Sequence, residues 1–455
     1  MFCNCIPWTI AALLITALSC RGTTNVINNK IDRLIDLSSQ LVVITERIYI
    51  EGTPEFYTIK IEPSHRDRLA FIEASVGGQN LNILEKPDGL FEVNLGGQST
   101  KAQPLVVLSV FTKLLQPYPA EISQSERQLV RYRGFQTTLS PYLTKTITTR
   151  IKLPQSSRLE SFTKASKMTT SSSKITYGPF KDVQPNEAEP LIIHYENNTP
   201  FIAIKKLTRT VEISPWARSI NIANEVKIQH IGAKLKGPFS RFEYQRDHSN
   251  GISSVRNLVV ELPKTSTDIY FRDGIGNIST SNVRISNAKT MVGIKPRFPL
   301  FGGWGTDFNL GYRVPISEFL NEPKAGNNFR LSLPFADVMY ENMFVEEATV
   351  KIYLPAGASD IEVKGSVGFK TRYDEKSYSY LDVIGRPVVV LEKSNMVTHH
   401  IDNKPLIIRY NYSKLYMLQE PILLLAAAIS ASVLVAITSK MSKNGPISSS
   451  KAKSD

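Results

Sequence analysis

The sequence predicts a mainly β protein: two antiparallel β-sandwich-like domains in series, followed by one C-terminal transmembrane helix. Three observations carry that prediction. Period-2 runs rich in β-branched residues recur along the chain, among them Thr146-Ile-Thr-Thr-Arg-Ile-Lys-Leu153, Thr349-Val-Lys-Ile-Tyr-Leu354 and Arg386-Pro-Val-Val-Val-Leu391; this is the spacing of a pleated strand. Two short motifs repeat in the same order roughly 200 residues apart, as duplicated domains would show. One apolar run near the C-terminus, Pro421 to Ile437, carries no charge and has about the length needed to cross a bilayer.

Residues 1–22 read as a signal peptide. Ile6 to Leu18 is apolar and too short for a span, and small residues between Ser19 and Gly22 suit cleavage. Cys3, Cys5 and Cys20 are the only cysteines, so the mature chain is expected to contain no disulfide. Its domains must then be held by hydrophobic cores, which about 200 residues per domain can supply. Lack of disulfides favours an intracellular lumen over the cell surface.

Residues 23–225 and 226–415 are the two expected β-domains. Arg150-Ile-Lys-Leu-Pro154 recurs as Val350-Lys-Ile-Tyr-Leu-Pro355, and Glu189-Pro-Leu-Ile-Ile-His-Tyr195 as Lys404-Pro-Leu-Ile-Ile-Arg-Tyr410. The boundary is placed near Asn224 to Val226. Pro and Gly are spread as turn punctuation, and helical stretches are expected to be few, with a soluble one around Ser123 to Arg131. The stretch GAKLKGPFSRFEYQR, Gly232 to Arg246, reads as a strand-turn-strand broken at Gly237-Pro238. Alternation would put Phe242 and Tyr244 on a core face and Arg241, Glu243 and Gln245 on the other. Arg241 and Arg246 are its candidate contacts for a subunit or substrate.

Residues 418–439 form the expected span. Lys440, Lys443, Lys451 and Lys453 follow it against Asp455 alone, which places the tail 440–455 in the cytosol and the domains in the lumen. The end, Lys451-Ala-Lys453-Ser-Asp455, has the K-x-K-x-x form of an endoplasmic-reticulum return signal. Within the span, Ala427/Ala431 and Ala428/Ser432 are small residues four apart, a pattern that lets a second helix approach closely.

No H-E-x-x-H, P-loop, C-x-x-C or G-x-S-x-G motif is present, and neither a catalytic residue nor a cofactor or metal site is expected. His399-His400 sit adjacent, where strand geometry would point them apart, and read as a solvated turn; Glu346-Glu347 read as solvated carboxylates. The net charge of +13 would meet no nucleic acid in a lumen, but would suit an anionic membrane surface or acidic neighbours. Asn197, Asn277 and Asn411 head N-x-S/T sequons and are candidate glycosylation positions, with Pro200 hindering the first.

Several long segments resemble the ribophorin I family. They include YGPFKDV (177–183), HYENNTPF (194–201), GAKLKGPFSRFEYQR (232–246), YFRDGIGNIST (270–280), PRFPLFGGW (296–304), YSYLDVIGRPVVV (378–390) and MLQEP (417–421). The resemblance implies a single-pass type I subunit of the oligosaccharyltransferase complex of the endoplasmic-reticulum membrane. That complex transfers an oligosaccharide from dolichyl diphosphate to Asn of N-x-S/T. It further implies a non-catalytic role beside a polytopic catalytic subunit, with other subunits, nascent polypeptides and membrane lipid as partners. The long cytosolic extension that animal members use for ribosome docking has no counterpart after the span, so ribosome docking is not carried over. Two other classes fit the topology. A free lumenal chaperone or glycan receptor would use an exposed Trp216 or Trp304 as a sugar platform, and a surface adhesion protein would be accessible to surface biotinylation.

Overall fold

The alternating segments form two units built on one plan. The computed structural model describes residues 26–443 apart from 99, 101, 172, 248–249, 279–281, 323–325, 366–367, 379–381 and 403–404. The expected signal segment 1–22 and the tail beyond 443 lie outside the described residues.

In the first unit, the strand Ile27–Asp36 forms a hairpin with Val42–Glu51, which continues to Leu105–Phe111 and Leu69–Val76. On its other side Ile27–Asp36 pairs in parallel with Thr144–Lys152, followed by Lys174–Val183 and Met168–Ser171. The second unit repeats this order. Ile202–Ser214 forms a hairpin with Ser219–His230, continuing to Gly305–Pro315 and Thr267–Asp273. It pairs in parallel with Phe344–Tyr353, then Arg386–Val397 and Lys370–Ser377 follow. The smaller sheets correspond too. A four-stranded sheet is centred on Leu129–Phe135 and Pro190–Glu196 in one unit and on Asn328–Leu333 and Leu406–Asn411 in the other. Each unit adds a three-stranded sheet. The two sequence motifs thus fall on equivalent strands, one in the large sheet and one in the four-stranded sheet.

Each unit buries the inner face of its large sheet against its smaller sheets around one core. Ile31, Ile35, Val130, Tyr132, Ile193 and Tyr195 belong to the first, and Leu207, Val211, Leu331, Phe335 and Ile408 to the second. This is sandwich-like packing of inward-facing residues from opposed sheets.

Three sequence expectations are corrected. The large sheet of the second unit begins at Ile202, so a division at 225/226 would cut through Ser219–His230. The topology moves the division to 197–201, because the second repeated motif lies on the last strand of each unit and does not mark the start of the next. Residues Ser123 to Arg131 form a turn and then the strand Leu129–Phe135. There Val130 and Tyr132 alternate into the core, and two-residue periodicity decides the structure. Finally, Arg241–Arg246 is a short helix, not a strand. Ser240 caps it by accepting from Glu243 N–H at 3.3 Å, and Ser-x-x-Glu is the order of a helix-starting capping box. Phe242 therefore points to solvent, 70% exposed, while Tyr244 packs on Phe301.

Candidate functional site

Among the described residues, no group of three or more His, Cys, Asp or Glu could hold a metal. The described residues present surfaces, a cleft and the joint that positions them. The joint is built by residues far apart in sequence. Leu41, Val110, Ala203, Phe344 and Val397 form a small buried cluster between the units. Gln40 donates to Asn342 O at 2.8 Å and accepts from Ile202 N–H at 2.6 Å. Asn395 accepts from Thr112 Oγ1 at 2.9 Å and donates to Leu69 O. Glu346, expected to be solvated, holds Lys113 of the first unit (2.7 Å) across this joint and Lys205 of its own sheet (2.6 Å). Burial works against its charge, but the two lysines outweigh that and lower its pKa. His400, also expected in solvent, is buried with its ring 5.1 Å from Phe71, and its Nδ1 accepts from Val397 N–H. Both corrections share a cause: each residue lies where the second unit meets the first, which local pattern cannot report.

The stretch Gly232 to Arg246 is the other half of the joint, a clasp. Lys234–Leu235 pairs in parallel with Glu121–Ile122 of the first unit. Gln128 accepts from Ala233 N–H at 2.9 Å and donates to Asn197 O at 2.9 Å. Gln124 exchanges two hydrogen bonds with the backbone of Ser240, at 3.0 and 2.9 Å. Behind the clasp, Gly302 permits contact that no side chain would allow, since a Cβ there would overlap Ala233 O. Phe239, Tyr244, Phe301 and Trp304 cluster around it, edge-on except for the tilted Phe239–Phe301 pair.

His230 anchors the clasp. Its Nε2–H donates to Ser253 O at 2.7 Å and its Nδ1 accepts from Gly232 N–H at 3.1 Å. Those bonds require the neutral ring, and burial pushes its pKa down to about 4. The unfolded histidine titrates near 6.5. The contribution is therefore complete above about pH 6.5 and is lost as pH falls towards 4, because the unfolded chain binds the proton first. We expect about 2 kcal/mol of destabilisation between pH 6.5 and 5, read by calorimetry, and a flatter profile in His230→Asn.

Next to the clasp, a cleft of about 540 Å³ opens between the ends of Ser219–His230 and Gly305–Pro315 and the loop carrying Arg297 and Phe298. Phe271, Ile278 and Ile294 line it, and the exposed Ile275 and Phe298 form its rim. Arg297 grips both carboxylate oxygens of Asp273, which holds the Asp273 pKa well below the usual carboxylate range. That forked pair fixes the two loops bearing Ile275 and Phe298.

The candidate contacts of the clasp helix are both exposed. Arg246 lies over the Phe242 ring at 5.5 Å, so Arg241, Phe242 and Arg246 make a cationic and aromatic surface without a core role.

The sequons fare differently. Asn197 is fully buried, its amide donating to Leu37 O and Ser39 O and its carbonyl accepting from Thr199. Asn411 donates to Asp360 at 2.8 Å. Asn277 is exposed, and among the described residues only its carbonyl oxygen is engaged, by Arg272 at 2.9 Å; Ser279 of its sequon lies outside the described residues. A glycan attaches through the amide nitrogen, so glycopeptide mass spectrometry is expected to find Asn277 modified and Asn197 bare.

The apolar helix runs Gln419–Lys443 and is long and apolar enough to cross a membrane, with none of its apolar window buried. Ser430 and Ser432 donate back to Ala426 O and Ala428 O at 2.8 Å. With its hydroxyl satisfied internally, Ser432 joins Ala427, Ala428 and Ala431 as a strip of small side chains on one side of the helix.

The sequence model of Ribophorin I matches residues 26–439. A "Dolichyl-diphosphooligosaccharide--protein glycosyltransferase subunit 1B" of Oryza sativa subsp. japonica is 37% identical over 423 residues, 87% of either chain. Its Arabidopsis thaliana namesake is 37% identical over 92% of this chain and 93% of its own. Subunit 1 of Caenorhabditis elegans is 34% identical over 90% of this chain and 71% of its own. Among solved structures, an M1 zinc metallopeptidase from Deinococcus radiodurans aligns with 46% of this chain and 42% of its own at 10% identity and a TM-score of 0.27, a likeness too slight to bear on fold or activity.

Proposed function

The chain belongs to the ribophorin I family, and from that membership we propose that it is a non-catalytic structural subunit of oligosaccharyltransferase in the endoplasmic-reticulum membrane. The observation that carries this reading is similarity to glycosyltransferase subunits 1 and 1B across nearly the whole chain. The two β-units lie in the lumen, tied to the membrane by Gln419–Lys443, whose small-residue face packs on a neighbouring subunit's helix. The polytopic catalytic subunit supplies the chemistry. The joint between the units supports a scaffold role: it is closed by a buried cluster, an ionic group and a clasp, and so can hold partners at fixed spacing.

The cleft beside Asp273 and Arg297 supports substrate presentation. Its apolar walls and exposed rim suit an extended polypeptide with apolar side chains. A photo-crosslinking residue in place of Phe298 is expected to capture nascent chains in translocating microsomes; capture no better than at exposed Lys152 would contradict presentation by the cleft. Depleting the chain is expected to lower N-x-S/T occupancy on reporter glycoproteins, and unchanged occupancy would contradict the subunit role. Arg241→Ser combined with Arg246→Ser is expected to leave thermal unfolding unchanged, because both side chains are exposed. The same variant is expected to reduce co-purification of partner subunits several-fold, as loss of rim cations at an interface would.

A further inference from the structure

Around the start of the apolar helix, the second unit exposes apolar and aromatic side chains that its own core does not use. Leu415, Tyr416 and Leu418 lie in the turn Lys414–Leu418 that runs straight into the helix, and Leu415 is 75% exposed. Their depth follows from arithmetic. The charge-free run starts at Pro421, so Leu418 sits about 5 Å outside the hydrocarbon at roughly 1.5 Å per residue, and Leu415, three residues further along a 3-10 turn at roughly 2 Å per residue, lies about 10 Å outside it. The headgroup zone of a bilayer is roughly 5–8 Å deep on each side.

Three loops of the second unit are tied to this turn. Tyr416 lies over Gly357, where a Cβ would come within 2.5 Å of the ring. Gln419 donates to Asp382 at 3.0 Å, in the loop that exposes Tyr378 and, at 69%, Val383. Trp216 and Arg218 share a cavity of about 230 Å³ with Lys414 and Met417, and Glu322 accepts from Lys414 at 2.9 Å with Arg218 at 4.0 Å. Trp216 is 53% exposed. Trp, Tyr and Lys around a span are the composition of a membrane interface.

We propose that this end of the second β-unit docks into the headgroup zone of the phospholipid bilayer through Trp216, Tyr378, Val383, Tyr416 and Leu418, with Leu415 at its outer margin. The domain then does not swing freely on its anchor; its distance from the bilayer is fixed by the same rim. The inference rests on Gln419–Lys443 crossing the membrane and is separate from what the complex catalyses.

The test uses the purified assembly reconstituted into phosphatidylcholine vesicles bearing a nitroxide either on the headgroup or deep in the acyl chain. Subtracting the fluorescence of Trp216→Phe from that of the native protein isolates the signal of residue 216. The headgroup nitroxide is expected to remove at least half of that signal, and the deep nitroxide clearly less. No quenching by either label, as when a protein neighbour or water covers Trp216, would overturn the proposal, and so would quenching by the deep label alone. Yield of the assembly with Trp216→Phe reports complex formation independently of lipid contact.

Discussion

Asp337→Ala is expected to destabilise the second β-unit by about 3–5 kcal/mol, because it leaves a buried guanidinium without its counter-charge. Arg209 is fully buried and donates to Asp337 at 2.6 Å and to Asn224 at 3.0 Å, with the Tyr312 hydroxyl at 3.3 Å. Asn224 and Tyr312 both donate to the same carboxylate, at 3.0 and 2.8 Å. Burial opposes the charge on Arg209, yet Asp337 and Tyr312 outweigh it and hold its pKa above the ordinary value. The arginine cannot escape the penalty by losing its proton. A fall of roughly 6–20 °C in the unfolding midpoint of this unit is the expected reading. The pair Arg209→Met with Asp337→Leu should recover part of the loss, since apolar replacement of both ions removes the desolvation penalty, while Asn224 and Tyr312 lose the carboxylate they donate to. If Asp337→Ala unfolds within 1–2 °C of the native chain, water reaches the site and this account of the core is wrong.

Phe344→Ala carries the second large effect, about 3–5 kcal/mol for truncating a buried aromatic. Phe344 is 3% exposed in the cluster between the units, with Lys113 Nζ 5.4 Å from its ring centre. Its location makes the readout specific. Limited proteolysis should cut faster near residues 197–201, where the units join, while hydrogen exchange in the strands of each separate core stays slow. Uniform loss of protection through both units would instead make Phe344 part of one undivided core.

Much of this architecture is legible in period-2 patterning. Leu207, Arg209, Val211 and Ile213 are in phase, so the alternation itself places an arginine among core residues. Ile31, Arg33 and Ile35 do the same in the first unit, where Arg33 meets Glu46 at 3.1 Å across the hairpin. Arg209 faces Asn224 at the corresponding pairing. An arginine in an inward phase was therefore a readable sign of a buried polar network in each repeat. What it meets was not readable, because Asp337 lies 128 residues away. The clasp shows the opposite failure. Phe242 and Tyr244 alternate as in a strand, but Ser240 and Glu243 cap a helix, and over six residues the cap prevails. Gln124, Gln128 and His400 look like surface polar residues locally; only the meeting of the two units buries or engages them. The cleft draws on the ends of strands from three parts of the chain, so its existence follows from sheet order and not from any motif.

The central claim is that this chain is a fixed structural part of oligosaccharyltransferase. Blue-native electrophoresis of membranes solubilised in a mild detergent, followed by mass spectrometry of the same band, tests it most directly. The account predicts that the chain migrates in one large band with the polytopic catalytic subunit and the remaining subunits. Migration of the chain by itself, with the catalytic subunit intact in a band that lacks it, would contradict the account.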